Sequence, residues 1–225
     1  MARPRTHDLG ALLDVAERIV TSAGPAGLTL RRLAAEAGIS NGSIYHSFSS
    51  KEELLARVWA RAARRFLTIL DARVAAATAG APTAAASATE AVVAAALSPV
   101  DFAIEHPAAA RLFFMQRRDQ LLSEDLPPAA ADELEAVQGT FTARLITLAQ
   151  ARWNRRDRVA VDAIAACVVD VPGGLMQRKL LAGAALDEQT RNQIEAACRA
   201  ILALELPPHL RRSASPGTPQ EEGRR

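Results

Sequence analysis

The chain is poor in the residues on which most protein chemistry depends. Its 225 residues include two cysteines, four histidines, one tyrosine and two tryptophans, and aromatic side chains make up only 4%. Cys167 and Cys198 have no close-spaced partner, which argues against a disulfide framework or a zinc cluster and leaves them as small buried hydrophobes. His7, His46, His106 and His209 are scattered, and there is no paired catalytic carboxylate, glycine-rich phosphate loop, nucleophile elbow or metal-ligand spacing. No enzymatic activity, cofactor or metal is expected. The opening Met-Ala-Arg-Pro-Arg-Thr-His-Asp has no apolar stretch behind its charges, so it is not a secretory signal. Uncharged, strongly apolar runs of about 18 residues are also missing. A soluble, cytoplasmic protein is the expectation.

Excess charge is lacking as well: 27 basic against 25 acidic residues give a formal +2, too neutral at first sight for a nucleic-acid binder. The total hides a gradient. Residues 1–65 hold ten basic and six acidic side chains, net +4; residues 66–206 are net −4, and residues 207–225 net +2. The electropositive field is concentrated at the N-terminus, where it can meet phosphate.

What the chain has in quantity is Ala, Leu and Arg without strand-type alternation, which predicts an all-α protein. Leu9, Leu12, Leu13, Ala16, Ile19, Val20 and Ala23 recur at helical spacing until Gly24-Pro25 stops the pattern. Thr29 is a good cap for a short second helix with Leu30, Leu33, Ala34 and Ala37 inward, and Gly38 ends it. Ser40 caps a third helix holding Ile44, Tyr45 and Phe48, so Ala37-Gly38-Ile39 is the turn of a helix-turn-helix. Ser50-Lys51-Glu52-Glu53 is a capping box opening a long fourth helix. After the break at Gly80-Ala81-Pro82, helices are predicted near 84–105, 107–121, 128–154, 157–183 and 187–206. The segment from Pro207 is rich in Pro, Ser, Gly and charge, with too little apolar surface to fold.

The third helix has the composition of a reading head. Gly42 lets its backbone come close to a groove, and Ser40, Asn41, Ser43 and His46 form a polar face opposite Ile44 and Phe48. Asn41 and Ser43 are the better candidates for base edges, since Ser40 is also needed as a cap. Lys51 lies in the first turn of the fourth helix, where the ammonium and the positive dipole end can hold one phosphate together. Arg31 and Arg32 supply DNA contact from at least one of the pair, or a solvated face; Arg3 and Arg5 fit a minor-groove arm or an ordinary basic tail. Arg57, Arg61, Arg64 and Arg65 read as a helix surface.

The run from Leu28 to Leu55 carries a Thr-capped helix, Ala-Gly-Ile-Ser, a Gly-x-x-Tyr step and Phe-x-x-Lys-Glu-x-Leu. In this it resembles the N-terminal DNA-binding domain of the TetR family of bacterial transcriptional regulators. The resemblance covers about 50 residues well; beyond them it rests on length, helicity and a His-Pro-Ala start near Pro107. It implies a three-helix helix-turn-helix domain over 1–55, the fourth helix (50–79) as connector, and a larger helical effector-binding and dimerisation bundle over 80–206, about nine helices in all. The tail 207–225 is expected to be disordered. The family pattern adds phosphate hydrogen bonds from the Tyr45-His46 pair and from the Thr29 hydroxyl. It also implies a homodimer through the last two long helices, about 157–183 and 187–206. Ala163, Ala166, Val169, Gly173 and Gly174 allow close helix approach there, and Pro172 is expected to kink the first.

A double-stranded operator and a small-molecule effector are the implied partners, and a repressor released by an apolar or amphipathic ligand is the leading reading. Phe102, His106, Phe113, Phe114, Trp153 and Met176 are the candidate pocket residues, because scarce large side chains define cavity shape where alanine is the usual wall. Two alternatives stay open: a DNA-binding protein whose bundle recruits a protein partner and has no pocket, and a helical interaction protein that has lost DNA binding.

Overall fold

The computed structural model describes residues 8–79, 82–115 and 126–208, and among them all regular structure is helical. Asp8 starts α1 (Leu9–Ala23) by accepting the Gly10 amide at 2.9 Å. After Gly24 and a single tight turn at Pro25–Gly27, Thr29 caps α2 (Leu30–Ala37) through the Arg32 amide at 3.1 Å. Gly38 ends α2 in the left-handed region at φ 66°, which a β-carbon disfavours, and its amide closes back onto the last turn. Ser40 caps α3 (Asn41–Ser47) through the Ser43 amide. Phe48, expected inside this helix, instead follows it: extended backbone there turns the ring inward, where it is 1% exposed.

The spine of the molecule is α4 (Lys51–Thr78), which belongs to both halves. The bundle adds α5 (Ala84–Glu105), α6 (Pro107–Met115), α7 (Pro128–Trp153), α8 and α9 (Glu188–Ala203). Of the helix expected near 107–121, the part after Met115 lies outside the described residues, as do Arg3, Arg5, Gly80, Ala81 and the tail from 209. The α8 helix runs over Arg158–Ala165, passes through a wide turn at Ala166–Asp170, and continues as Val171–Ala182. In the wide turn the Val171 amide reaches the Ala166 carbonyl, one residue beyond the α-helical partner. The cause is local: Pro172 has no amide to donate, and its ring would clash with the carbonyl four residues back.

Two apolar cores run through the molecule. One gathers α1–α4 around Ile19, Leu33, Ile44, Phe48 and Leu54 but also takes in Leu112 of α6 and Leu134 and Val137 of α7. The other holds the rest of the bundle, including Phe102, Ile164, Met176, Ile194 and both cysteines. Phe113 and Phe141 pack against both. Cys167 lies in the wide turn and donates to the Cys198 carbonyl at 3.8 Å.

Contrary to the expectation of no long apolar run, α5 and the 25-residue span Arg158–Ala182 are by length and composition apolar enough to cross a membrane. Here both are bundle helices. Of the apolar window, 67% is buried in α5 but only 33% in α8, where Val159, Asp162, Val169 and Asp170 are exposed.

Candidate nucleic-acid interface and bundle cavity

The surface of the N-terminal head is built by the caps that start its helices. Tyr45, the only tyrosine of the chain, is 61% exposed and takes no part in the core. Asn41, Gly42 and His46 are exposed beside it, and Ser43 is half-buried. The Ser40 and Ser43 hydroxyls lie 2.9 Å apart, so both are already engaged within the protein; Asn41 is the base-edge candidate left with an exposed side chain. A β-carbon on Gly42 would meet only the Ser40 hydroxyl, at 3.9 Å, so packing within the protein does not require glycine there. Thr29 and Arg31 are exposed, Lys51 is half-buried at the start of α4, and the Arg32 guanidinium bonds to Glu36 at 2.8 Å.

Four basic side chains at the start of α4 point elsewhere. Arg61 donates to the Gly10 carbonyl at 3.0 Å and to Asp14, and Arg65 pairs with Glu17 at 2.6 Å, pinning α4 to α1. Arg57 bonds to Glu53, while Arg57 and Arg64 both reach Glu133 of α7. Four of the ten cations counted in residues 1–65 are thus internal fastenings.

Glu53 anchors this arrangement. Its amide bonds to the Ser50 hydroxyl at 3.0 Å, and its carboxylate reaches past the cap to the Ser49 amide and hydroxyl, both at 2.8 Å. Burial pushes its pKa up, but the hydrogen bonds from Ser49 and Arg57 outweigh that and hold it below the ordinary carboxylate value.

Behind the head, five of the six phenylalanines gather with Trp59 into one aromatic cluster. The ring centres of Trp59 and Phe113 are 5.1 Å apart, those of Phe66 and Phe113 5.3 Å, and Phe113 meets Phe114 edge to face at 5.1 Å. The cluster borders a cavity of about 270 Å³ lined by Trp59, Phe66, Pro99, Phe113, Phe114, Phe141, Val168, Val169, Pro172 and Gly173. A smaller space of about 40 Å³ lies against Trp59, Phe66, Phe113 and Phe141. Pro99 interrupts the hydrogen-bond ladder of α5, and Pro172 follows the wide turn of α8. Walls that cannot close into regular, tightly packed helix leave room between them.

Of the six pocket candidates, Phe113 and Phe114 line this cavity. Phe102 is fully buried behind them, in contact with both rings, and the His106 ring lies tilted against Phe102, centres 5.8 Å apart. Met176 is core, 1% exposed, and Trp153 sits at the far end of α7 under the Arg152 guanidinium. Trp59, Phe66 and Phe141 were not singled out for the cavity by sequence; their scarcity in an alanine-rich chain was the available signal.

A helix-turn-helix head joined to a helical bundle is the architecture of a DNA-binding transcriptional regulator. Residues 12–58 match the family model of the bacterial regulatory proteins, tetR family. No curated protein matches the chain by sequence. Among solved structures, a TetR-like transcriptional regulator from Rhodococcus sp. RHA1 is 18% identical over 91% of this chain and 100% of its own, with a TM-score of 0.61. A second tetR-family regulatory protein from Rhodococcus RHA1 is 18% identical over 86% and 94%, TM-score 0.59. The multidrug binding protein EbrR, complexed with imidazole, is 20% identical over 90% and 95%, TM-score 0.59. Residues 12–58 thus match the tetR-family DNA-binding domain, and the described chain shares the fold of these solved structures.

Proposed function

We propose that the chain is a cytoplasmic, non-enzymatic, homodimeric repressor that holds a palindromic operator through α3 and lets it go when a small molecule occupies the bundle cavity. The observation that carries this reading is the double membership of Phe113 and Phe141, which border the cavity and pack against the core of the head as well as that of the bundle. A ligand that displaces them moves α6 and α7 relative to α1 and α4, and favours a state in which the heads no longer match the DNA. The domain division follows the same logic: 1–55 reads DNA, 50–79 connects, and 80–206 senses and dimerises.

A dimer is required by the geometry of DNA, because one short recognition helix reads few bases and two must sit about 34–36 Å apart to meet successive major-groove faces. The exposed face of α8 favours pairing there, with Val159 exposed and Ala163 and Ala166 small enough for a second helix to approach. Within each head Thr29, Arg31, Arg32, Tyr45, His46 and Lys51 contact phosphate, and Ser40, Asn41, Gly42 and Ser43 form the face against the bases. The alternative of a partner-recruiting bundle without a pocket is disfavoured by the cavity itself.

The test is selection of random double-stranded DNA by the purified protein, followed by titration at several salt concentrations. A sequence-preferring site whose affinity falls steeply with salt is expected. Tyr45→Phe combined with Lys51→Ala is expected to weaken binding at least about tenfold and to lower the salt slope. Unchanged affinity in that variant, or no preferred sequence, overturns the reading.

A further inference from the structure

We infer that the bundle cavity takes an uncharged aromatic molecule of about two fused rings and rejects charged molecules of the same shape. The inference rests on the effector reading above and concerns the chemistry of that site. Among the described residues the lining is apolar: five aromatic rings, two prolines, two valines and a glycine, with no ionisable side chain among them. On α5, which supplies Pro99 to the wall, Asp101 is held by Arg73 and Arg191 and Glu105 by Arg73, and Asp170 beside Val169 is exposed to solvent. An ammonium or carboxylate brought into the cavity would lose its hydration and find no counter-ion among these residues.

Shape and size narrow the class further. Phe66, Phe102, Phe113 and Phe114 contact one another in tilted and edge-to-face arrangements. Another planar ring can join such a cluster with its edge on one face and its face to another edge, gaining the quadrupolar term that a saturated molecule lacks. An apolar cavity of about 150 Å³ suffices for benzene. At about 270 Å³ this one has room for a second ring. A β-carbon on Gly173 would meet nothing within 4 Å, so this part of the wall is bare backbone beside open space.

The experiment uses the full-length protein without DNA, so its failure is separable from that of the repressor reading. In a Trp153→Phe background Trp59, at the cavity wall, is the sole tryptophan and reports occupancy by fluorescence. The probes are naphthalene, 1-naphthoate and 1-naphthylmethylammonium. Saturable quenching and a raised Tm with naphthalene are expected, with both charged probes at least about tenfold weaker. Val168→Phe and, independently, Gly173→Leu are expected to fill the space and weaken naphthalene at least about tenfold, with folding checked by circular dichroism. Absence of saturable naphthalene binding, charged probes that bind equally well, or undiminished binding in whichever filling variant folds overturns the inference. Naphthalene binding that leaves an operator complex intact counts against the repressor reading instead, and leaves the ligand class standing.

Discussion

Gly42 shows how a single residue separates stability from function. It lies in the second position of α3, where a β-carbon would be accommodated, and its backbone does not need the left-handed region that makes Gly38 irreplaceable. In a helix glycine costs roughly 0.5–1 kcal/mol relative to alanine. Gly42→Ala is therefore expected to stabilise the protein by a few tenths to about 1 kcal/mol in chemical denaturation, while its operator affinity falls at least about tenfold, because the added methyl stands between backbone and DNA. A variant that is more stable and binds as well as the parent would show that the close approach is not used. Tyr45 teaches the complementary lesson. The sequence leaves open whether a lone tyrosine fills the core or faces out, and burial of its neighbours Ile44 and Phe48 decides it: they fill the space, and Tyr45 is left exposed.

At the scale of elements, helix starts and stops were legible because they are local. Thr29, Ser40 and Ser50 cap the helices they were expected to cap, and Gly38 takes the left-handed turn. Less legible were features for which several local solutions compete. The capping box at α4 is one: Glu53 reaches beyond the cap to Ser49 and is gripped by Arg57, which also faces α7. Because the folded-state pKa of Glu53 is lowered, its contribution is fully present above the ordinary value of 4.5 and is lost as pH falls through the folded value. Wild-type Tm is thus expected to drop below about pH 4.5, and Glu53→Gln to show a lower Tm at neutral pH with a flatter acid limb, a loss of about 1–2 kcal/mol in the head. Thermal melts from pH 3 to 7 measure both; parallel acid limbs would remove Glu53 from the account. The wide turn in α8 is the other feature of this kind. Pro172 predicts a disturbance, but a kink, a break and a wide turn all relieve the same clash, and packing against α5 and α9 selects among them.

At the scale of the whole molecule, the uncovered face of α8 carries the prediction. Val159→Glu with Ala163→Glu places two charges on exposed and half-buried positions of this face, so a monomer should tolerate them. The variant is expected to sediment as a monomer at concentrations where the parent is a dimer, to keep its helical spectrum and to lose operator affinity by at least about a hundredfold, since bound alone each head gives up the second half-site. A variant that still dimerises would move the interface elsewhere.

The local grammar of this sequence determined the helical class, the order of helices and the identity of the reading head, because caps, turns and apolar periodicity act within a few residues of themselves. Tertiary structure decided which charges are free and which aromatics share a space. Sequence counting gave the N-terminal segment a surplus of +4, yet Arg57, Arg61, Arg64 and Arg65 spend their charge on Asp14, Glu17, Glu53 and Glu133. Trp59, Phe66, Phe113 and Phe141 come from three helices and meet at one wall. Except for Arg57 with Glu53, these ion pairs and the cavity depend on distances between chain segments tens of residues apart, and no local pattern encodes those distances.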